Sequence, residues 1–175
     1  MIKRVAILGP ESTGKSWLSN KLADNYNTSI VPEYSRDFFD GKDYNYTIED
    51  LLQISKCQFS NENRIALSAK GVIFCDTEFI TMAIWSKVVF NKVHEWVQES
   101  VKNHVYDLYL LCNLDIEWEY DPLRNNAHNR QYIYNLFVNE LEVNRLNYRV
   151  VSGIGIQRLN NAITFVDELI ENAGE

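Results

Sequence analysis

Eight residues near the start of the chain, Gly9-Pro10-Glu11-Ser12-Thr13-Gly14-Lys15-Ser16, have the types and spacing that hold a chain of phosphates. They fit G-x-x-x-x-G-K-[ST], in which glycines let successive backbone N–H groups turn inward around an anion. Lys15 would reach the β- and γ-phosphates, and the Ser16 hydroxyl would ligate Mg²⁺. The motif implies binding of a nucleoside triphosphate. Other chemistry-bearing residues fall at strand ends. Asp76 closes the apolar run Val72-Ile73-Phe74-Cys75, and Glu33 follows Ser29-Ile30-Val31-Pro32. Either carboxylate could serve an acceptor hydroxyl as base. Either could instead hold Mg²⁺ through water, and Glu33 could fix a ribose; the sequence does not divide these roles. Arg124 and Arg130 lie in or just after a long polar segment, 113–129, and arginines in such loops close over phosphates. Arg36, three residues past Glu33, can reach either substrate. His94, His104 and His128 are isolated, without metal-ligand spacing.

The elements that must position these residues alternate along the chain. Apolar strand-like runs at about 3–8, 29–33, 72–76, 106–112 and 148–152 are separated by helical segments. The helices are expected from Trp17 to Asn25, from Thr47 towards Lys70, from Glu78 to Phe90, over 93–103, from Arg130 to Asn144, and at the C-terminal end. Thr47-Ile48-Glu49-Asp50 resembles a capping box, and Gly71 is the expected stop. This alternation predicts an α/β fold with a five-stranded, mostly parallel sheet covered on both faces. In such a sheet ligands meet the carboxyl ends of the strands, where Glu33, Asp76 and the polar segment gather. The last helix carries Leu159, Ala162, Ile163, Val166 and Ile170 at amphipathic spacing, which is core.

At 175 residues the chain is read as one domain, with a lid at about 113–130. Hydrophobic residues make up 46%, and the formal net charge is −7. That acidity argues against a nucleic-acid surface, which needs clustered Lys and Arg. Cys57, Cys75 and Cys112 are odd in number and widely spaced, the pattern of reduced thiols in a cytoplasmic protein. No apolar run approaches the roughly 20 residues of a membrane span, and no signal peptide is visible. The sequence leaves room for a homo-oligomer.

The motifs also occur in a recognisable order: Gly9 to Ser16, Val31-Pro32-Glu33-Tyr34-Ser35-Arg36, Cys75-Asp76-Thr77-Glu78, Ile84-Trp85-Ser86, 106–111 and Asp121-Pro122-Leu123-Arg124. This succession resembles the ribosylnicotinamide kinase domain of NadR-type NAD-salvage proteins, over essentially the whole chain. The resemblance implies a three-layer P-loop NTPase fold like that of nucleoside and nucleotide kinases. It implies transfer of the γ-phosphate of ATP, with Mg²⁺, to the 5′-hydroxyl of nicotinamide riboside. On matching positions it puts Gly9, Glu11, Ser12, Thr13, Gly14, Lys15, Ser16 and Trp17 at the nucleotide, and Arg158 in the turn beside the adenine. Glu33, Tyr34, Arg36, Asp76 and Trp85 would surround the riboside, with Tyr34 and Trp85 stacking on its cationic ring, and Arg124 and Arg130 would lie in the lid. Larger members carry an H-x-G-H adenylyltransferase half and sometimes a DNA-binding segment; nothing here matches either, so those activities are expected to be absent. Pro122 and Asn91 stand where the family pattern leads one to expect Gly. Two alternatives stay open: a kinase for another nucleoside or nucleotide, and a regulatory ATPase without a small acceptor.

Overall fold

The computed structural model describes residues 2–41, 45–120 and 127–172. Its five strands are β1 (Lys3–Leu8), β2 (Ile30–Val31), β3 (Val72–Asp76), β4 (Leu108–Cys112) and β5 (Tyr148–Val151). They form one sheet in the order β2-β3-β1-β4-β5, and every neighbouring pair is parallel. The helices are α1 (Lys15–Tyr26), α2 (Tyr34–Phe39), α3 (Ile48–Ala66), α4 (Phe79–Phe90), α5 (Glu95–Asn103), α6 (Arg130–Val143) and α7 (Ile156–Glu171), with a short 3₁₀ turn at Ala127–Asn129.

Strand periodicity sorts the core into two layers. Val5 and Ile7 of β1 pack with Leu18 and Leu22 of α1 and Ala162 and Val166 of α7. Ala6 and Leu8 face the opposite way, onto Phe79, Ile80 and Ile84 of α4 and Ile133 and Phe137 of α6. A sheet buried on both faces needs continuous apolar strands, which explains why β3 and β4 are buried throughout. A third cluster joins Phe38 and Phe39 of α2 to Leu51 and Ile54 of α3 and Met82 of α4, beside the β2 edge.

Three of the boundaries that differ from the sequence reading have a local reason. β2 has two paired residues only, because Pro32 has no N–H for a further ladder bond. The chain turns at once into α2, a six-residue helix that the sequence did not signal. α3 stops at Ala66 rather than near Lys70; the Ser68 hydroxyl donates to the Ile65 carbonyl and competes with continued helix. β4 begins at Leu108, since the Tyr106 N–H is taken by the Tyr109 hydroxyl rather than by a neighbouring strand.

α3 is anchored by polar as well as apolar contacts. Glu62 is buried, and its carboxylate accepts from Arg4 of β1 at 2.6 Å, from the Tyr106 hydroxyl at 2.5 Å and pairs with His104 at 2.8 Å. At the other end the Thr47 hydroxyl accepts from the Asp50 N–H at 3.2 Å, and Asp50 accepts from the Thr47 N–H at 2.8 Å. This is the reciprocal capping box expected from the sequence. Thr47→Ala should lower unfolding free energy by about 1 kcal/mol in a denaturant titration. An unchanged midpoint would show that α3 does not depend on its cap.

Candidate nucleotide and acceptor site

The loop between β1 and α1 has the backbone its glycines permit. Gly9 sits at φ +139, and a Cβ there would lie 3.0 Å from the Cys112 carbonyl oxygen. Gly14 sits at φ +77 as the N-cap of α1, where a Cβ would meet Ile116 at 2.9 Å. The loop therefore opens onto the N-terminus of α1, whose unpaired N–H groups and dipole favour an anion. Lys15 folds back over it and donates to the Gly9 and Pro10 carbonyls, each at 2.9 Å.

Two cavities meet at this loop. One, of about 590 Å³, runs along the phosphate loop and Trp17 to Glu33, Arg36 and Asp76. The other, of about 250 Å³, is lined by Glu11, Tyr46, Thr77, Ile84, Trp85, Ile133 and Phe137. Glu11, Lys15 and Glu33 line both. The junction thus holds one ammonium and two carboxylates, with an apolar and aromatic chamber on one side and a phosphate cradle on the other.

Glu33 is held in place from two directions. The Ser35 hydroxyl donates to Glu33 Oε1 at 2.7 Å, and the Arg36 guanidinium lies 3.5 Å from Oε2. Asp76 is nearly enclosed, and one carboxylate oxygen, Oδ1, is buried without a partner. Burial, reinforced by the charge of Glu33, pushes the Asp76 carboxyl up to about 6, against the opposing pull of the Ser16 hydroxyl, Lys15 and Arg36. The next residue, Thr77, is a β-branched side chain at φ +79 with its hydroxyl also buried and unpartnered. Backbone strain and two unpartnered buried oxygens thus coincide at this one turn.

The residues singled out from the sequence divide by position. Gly9, Glu11, Ser12, Thr13, Gly14, Lys15, Ser16, Trp17, Glu33, Arg36, Asp76 and Trp85 line one cavity or both. Tyr34 does not; it packs against the α2–α3–α4 cluster, while its backbone N–H is bound to Gln58. Arg158 is fully buried behind the loop. Its guanidinium donates to the carbonyls of Thr13, Asn113 (3.0 Å) and Gly153 (2.8 Å), and pairs with Asp115 at 3.3 Å. Arg130 reaches the same loop from the start of α6 and donates to the Ser12 and Ile116 carbonyls. Arg124 and Pro122 lie outside the described residues. Asn91 is the left-handed C-cap of α4 at φ +51, a conformation that Asn adopts more readily than most residues with a side chain, so this departure preserves the turn.

Sequence reasoning missed Tyr46, Thr77 and Gln58. Trp85 Nε1 donates to the Tyr46 hydroxyl at 2.7 Å, and their rings meet edge to face at 5.5 Å. Tyr46 stands just before the capping box, but only tertiary folding brings it to Trp85.

A strand, glycine loop and helix beneath a wholly parallel sheet, with carboxylates at the neighbouring strand ends, define a P-loop NTPase fold. A family model described as an AAA domain matches residues 4–158, and the chain belongs to that family. It is 32% identical over 160 residues to the trifunctional NAD biosynthesis/regulator protein NadR of Salmonella typhimurium, and equally to that of Escherichia coli. These alignments cover 84% of this chain and 37% of each relative, so the chain spans little more than a third of their length. A crystal structure of NadR in complex with NR superposes with a TM-score of 0.84 at 20% identity, covering 97% of this chain and 52% of that one. The structure of NadR with NAD and AMP-PNP gives 0.80 at 22%, covering 97% and 49%. Deoxyadenosine kinase from M. mycoides gives 0.63 at 13%, covering 94% and 99%. These likenesses establish the fold.

The raised Asp76 carboxyl has a consequence for stability. Its pKa in the folded chain lies above the ordinary 3.8, so the folded state binds more protons between about pH 4 and 6. Stability from this group is complete below the lower value and lost as pH rises through the upper one. The loss corresponds to about 3 kcal/mol at most. Without added metal or nucleotide, Asp76→Asn should melt above the parent at about pH 7.5, with the gap closing below about pH 4. A variant that melts lower at neutral pH would show that Asp76 stabilises the empty site instead.

Proposed function

We propose that this chain is an ATP-dependent kinase that phosphorylates the 5′-hydroxyl of nicotinamide riboside, giving nicotinamide mononucleotide. The observation that carries this reading is the junction of the two cavities. A phosphate cradle ending at Lys15 opens into a chamber whose walls are the Tyr46 and Trp85 rings and the Glu11 and Glu33 carboxylates. Aromatic faces and carboxylates suit a ring that carries positive charge, as a pyridinium does. The NadR relatives, named for NAD biosynthesis, and the NadR complexes with NR and with AMP-PNP support the same donor and acceptor.

In this reading the loop amides and the α1 N-terminus hold the β- and γ-phosphates, and Lys15 exchanges its two loop carbonyls for phosphate oxygens. Ser16 and Asp76 would hold Mg²⁺. They are hard oxygen donors, and the unpartnered Asp76 Oδ1 fits such an ion. The ion would supply neutralisation of phosphate charge. Glu33, which lines both cavities, takes the proton of the acceptor hydroxyl while Ser35 and Arg36 hold it in position. The hydroxyl oxygen bonds to the γ-phosphorus, the bond to the β–γ bridging oxygen breaks, and ADP leaves. Arg130 steadies the phosphate loop from within a lid at 113–130, which belongs with the rest of the chain to one kinase domain. An ATP donor suits a cytoplasmic protein. A simple nucleotide switch has no use for the aromatic chamber.

A panel of nucleosides and nucleotides assayed for ADP release tests this. Nicotinamide riboside should turn over best; if it is inert while another acceptor reacts, the substrate assignment fails. Lys15→Ala should lower kcat by about 10²–10³, the size seen when an electrostatic contact to the transition state is removed. Unchanged turnover would contradict the loop's role. Glu33→Gln should reduce kcat far more than the KM for ATP; the reverse pattern would place Glu33 at the nucleotide.

A further inference from the structure

β2 and β3 stop pairing just before the residues that matter. Their ladder is two rungs long, Ile30 with Phe74 and Val31 with Cys75. The next positions, Pro32 and Asp76, have no backbone rung between them, because Pro32 carries no donor. Yet Glu33, one residue further on, and Asp76 itself must keep a fixed separation if one is to meet a hydroxyl and the other a phosphate site.

A buried side chain from α3 occupies that gap. Gln58 is 4% exposed, and its carboxamide oxygen accepts the backbone N–H of Tyr34, the residue after Glu33, at 2.8 Å. Its amide nitrogen donates to the carbonyls of Asp76 and Thr77, each at 3.3 Å. One planar amide therefore bonds both diverging strand ends, with the donor and acceptor that a missing peptide rung would have supplied. The turn it grips is the strained one, with Thr77 at φ +79 and two buried oxygens left open. Four residues along the same helix, Glu62 fixes α3 to β1 and to Tyr106, so the side chain works from a rigid base.

We propose that Gln58 is a positioning residue, a substitute ladder rung that sets the spacing of Glu33 from Asp76 and so aligns the acceptor with the phosphoryl group. The inference rests on the kinase reading above. Gln58 lines neither cavity of the site and touches no substrate in that reading; it acts through the two strand ends. Misplacement of reacting groups by about 1 Å can cost about 10²-fold in rate.

The test compares Gln58→Met, similar in length but unable to bond, and Gln58→Asn, which keeps the amide one methylene shorter, with the parent chain. Both should lose about 10- to 100-fold in kcat with the riboside while the KM for ATP stays within about twofold, since the phosphate loop is held by other contacts. A kcat within about twofold of the parent in either folded variant overturns the proposal, as does a joint loss of kcat and ATP affinity that tracks falling thermal stability. If Gln58→Met does not fold, Gln58→Asn alone decides by the same criteria. Should the parent prove inert to every acceptor, the kinase reading has failed independently, and crystal structures decide for Gln58. Displacement of Glu33 relative to Asp76 in the variant supports the proposal, and superimposable carboxylates overturn it.

Discussion

The constraint on which the molecule depends is the cost of gathering charge at the mouth of a dry sheet. A phosphate cradle must present backbone N–H groups unpaired to one another, and carboxylates must stand nearby without solvent to dilute their repulsion. Everything around the β1–α1 loop answers that cost. Gly9 and Gly14 adopt conformations that admit the loop's close approach to Cys112 and Ile116. Arg158, wholly buried, ties the Thr13 carbonyl of the loop to the carbonyls of Asn113 and Gly153 from behind. A buried guanidinium is tolerated because carbonyl oxygens and Asp115 occupy its donors.

The same economy explains the carboxylates. Asp76 is pushed up to about 6 because burial and Glu33 outweigh the attractions of Ser16, Lys15 and Arg36. Glu78, two residues on, is also buried and pushed up to about 7 by burial, though it caps α4 by accepting from the Ile80 and Thr81 N–H groups. Two buried carboxyls thus stand within three residues where β3 ends, one facing the cleft and one capping α4. The chamber beyond adds an apolar wall of Ile84, Ile133 and Phe137 beside Glu11, Lys15 and Glu33.

Much of this was legible in the sequence because local rules and the global fold agree. The loop motif, the apolar strands around it and the Thr47 capping box fell where their chemistry requires. That Glu33 and Asp76 line the cleft followed from their places at strand ends of a parallel sheet. The remainder depends on long-range geometry. Tyr34 looked like a stacking residue, but the early end of β2 and the start of α2 turn it into a packing cluster. Tyr46 becomes a chamber wall only through its contact with Trp85 across 39 residues. Arg158 reads as a turn residue in sequence, yet burial makes it a brace, and a polar residue at the start of an amphipathic helix gives no hint of that direction. Gln58, polar in the middle of a long helix, resembles surface until its partners are seen.

The central claim is that the phosphoryl group passes from the cradle to an alcohol in the adjoining chamber. It is tested most directly by following phosphorus during turnover with ATP, Mg²⁺ and nicotinamide riboside. Phosphorus NMR should show one nicotinamide mononucleotide formed for each ADP, with little inorganic phosphate. Stoichiometric inorganic phosphate and no phosphomonoester would mean that water, not a riboside, meets Glu33, and would contradict the account.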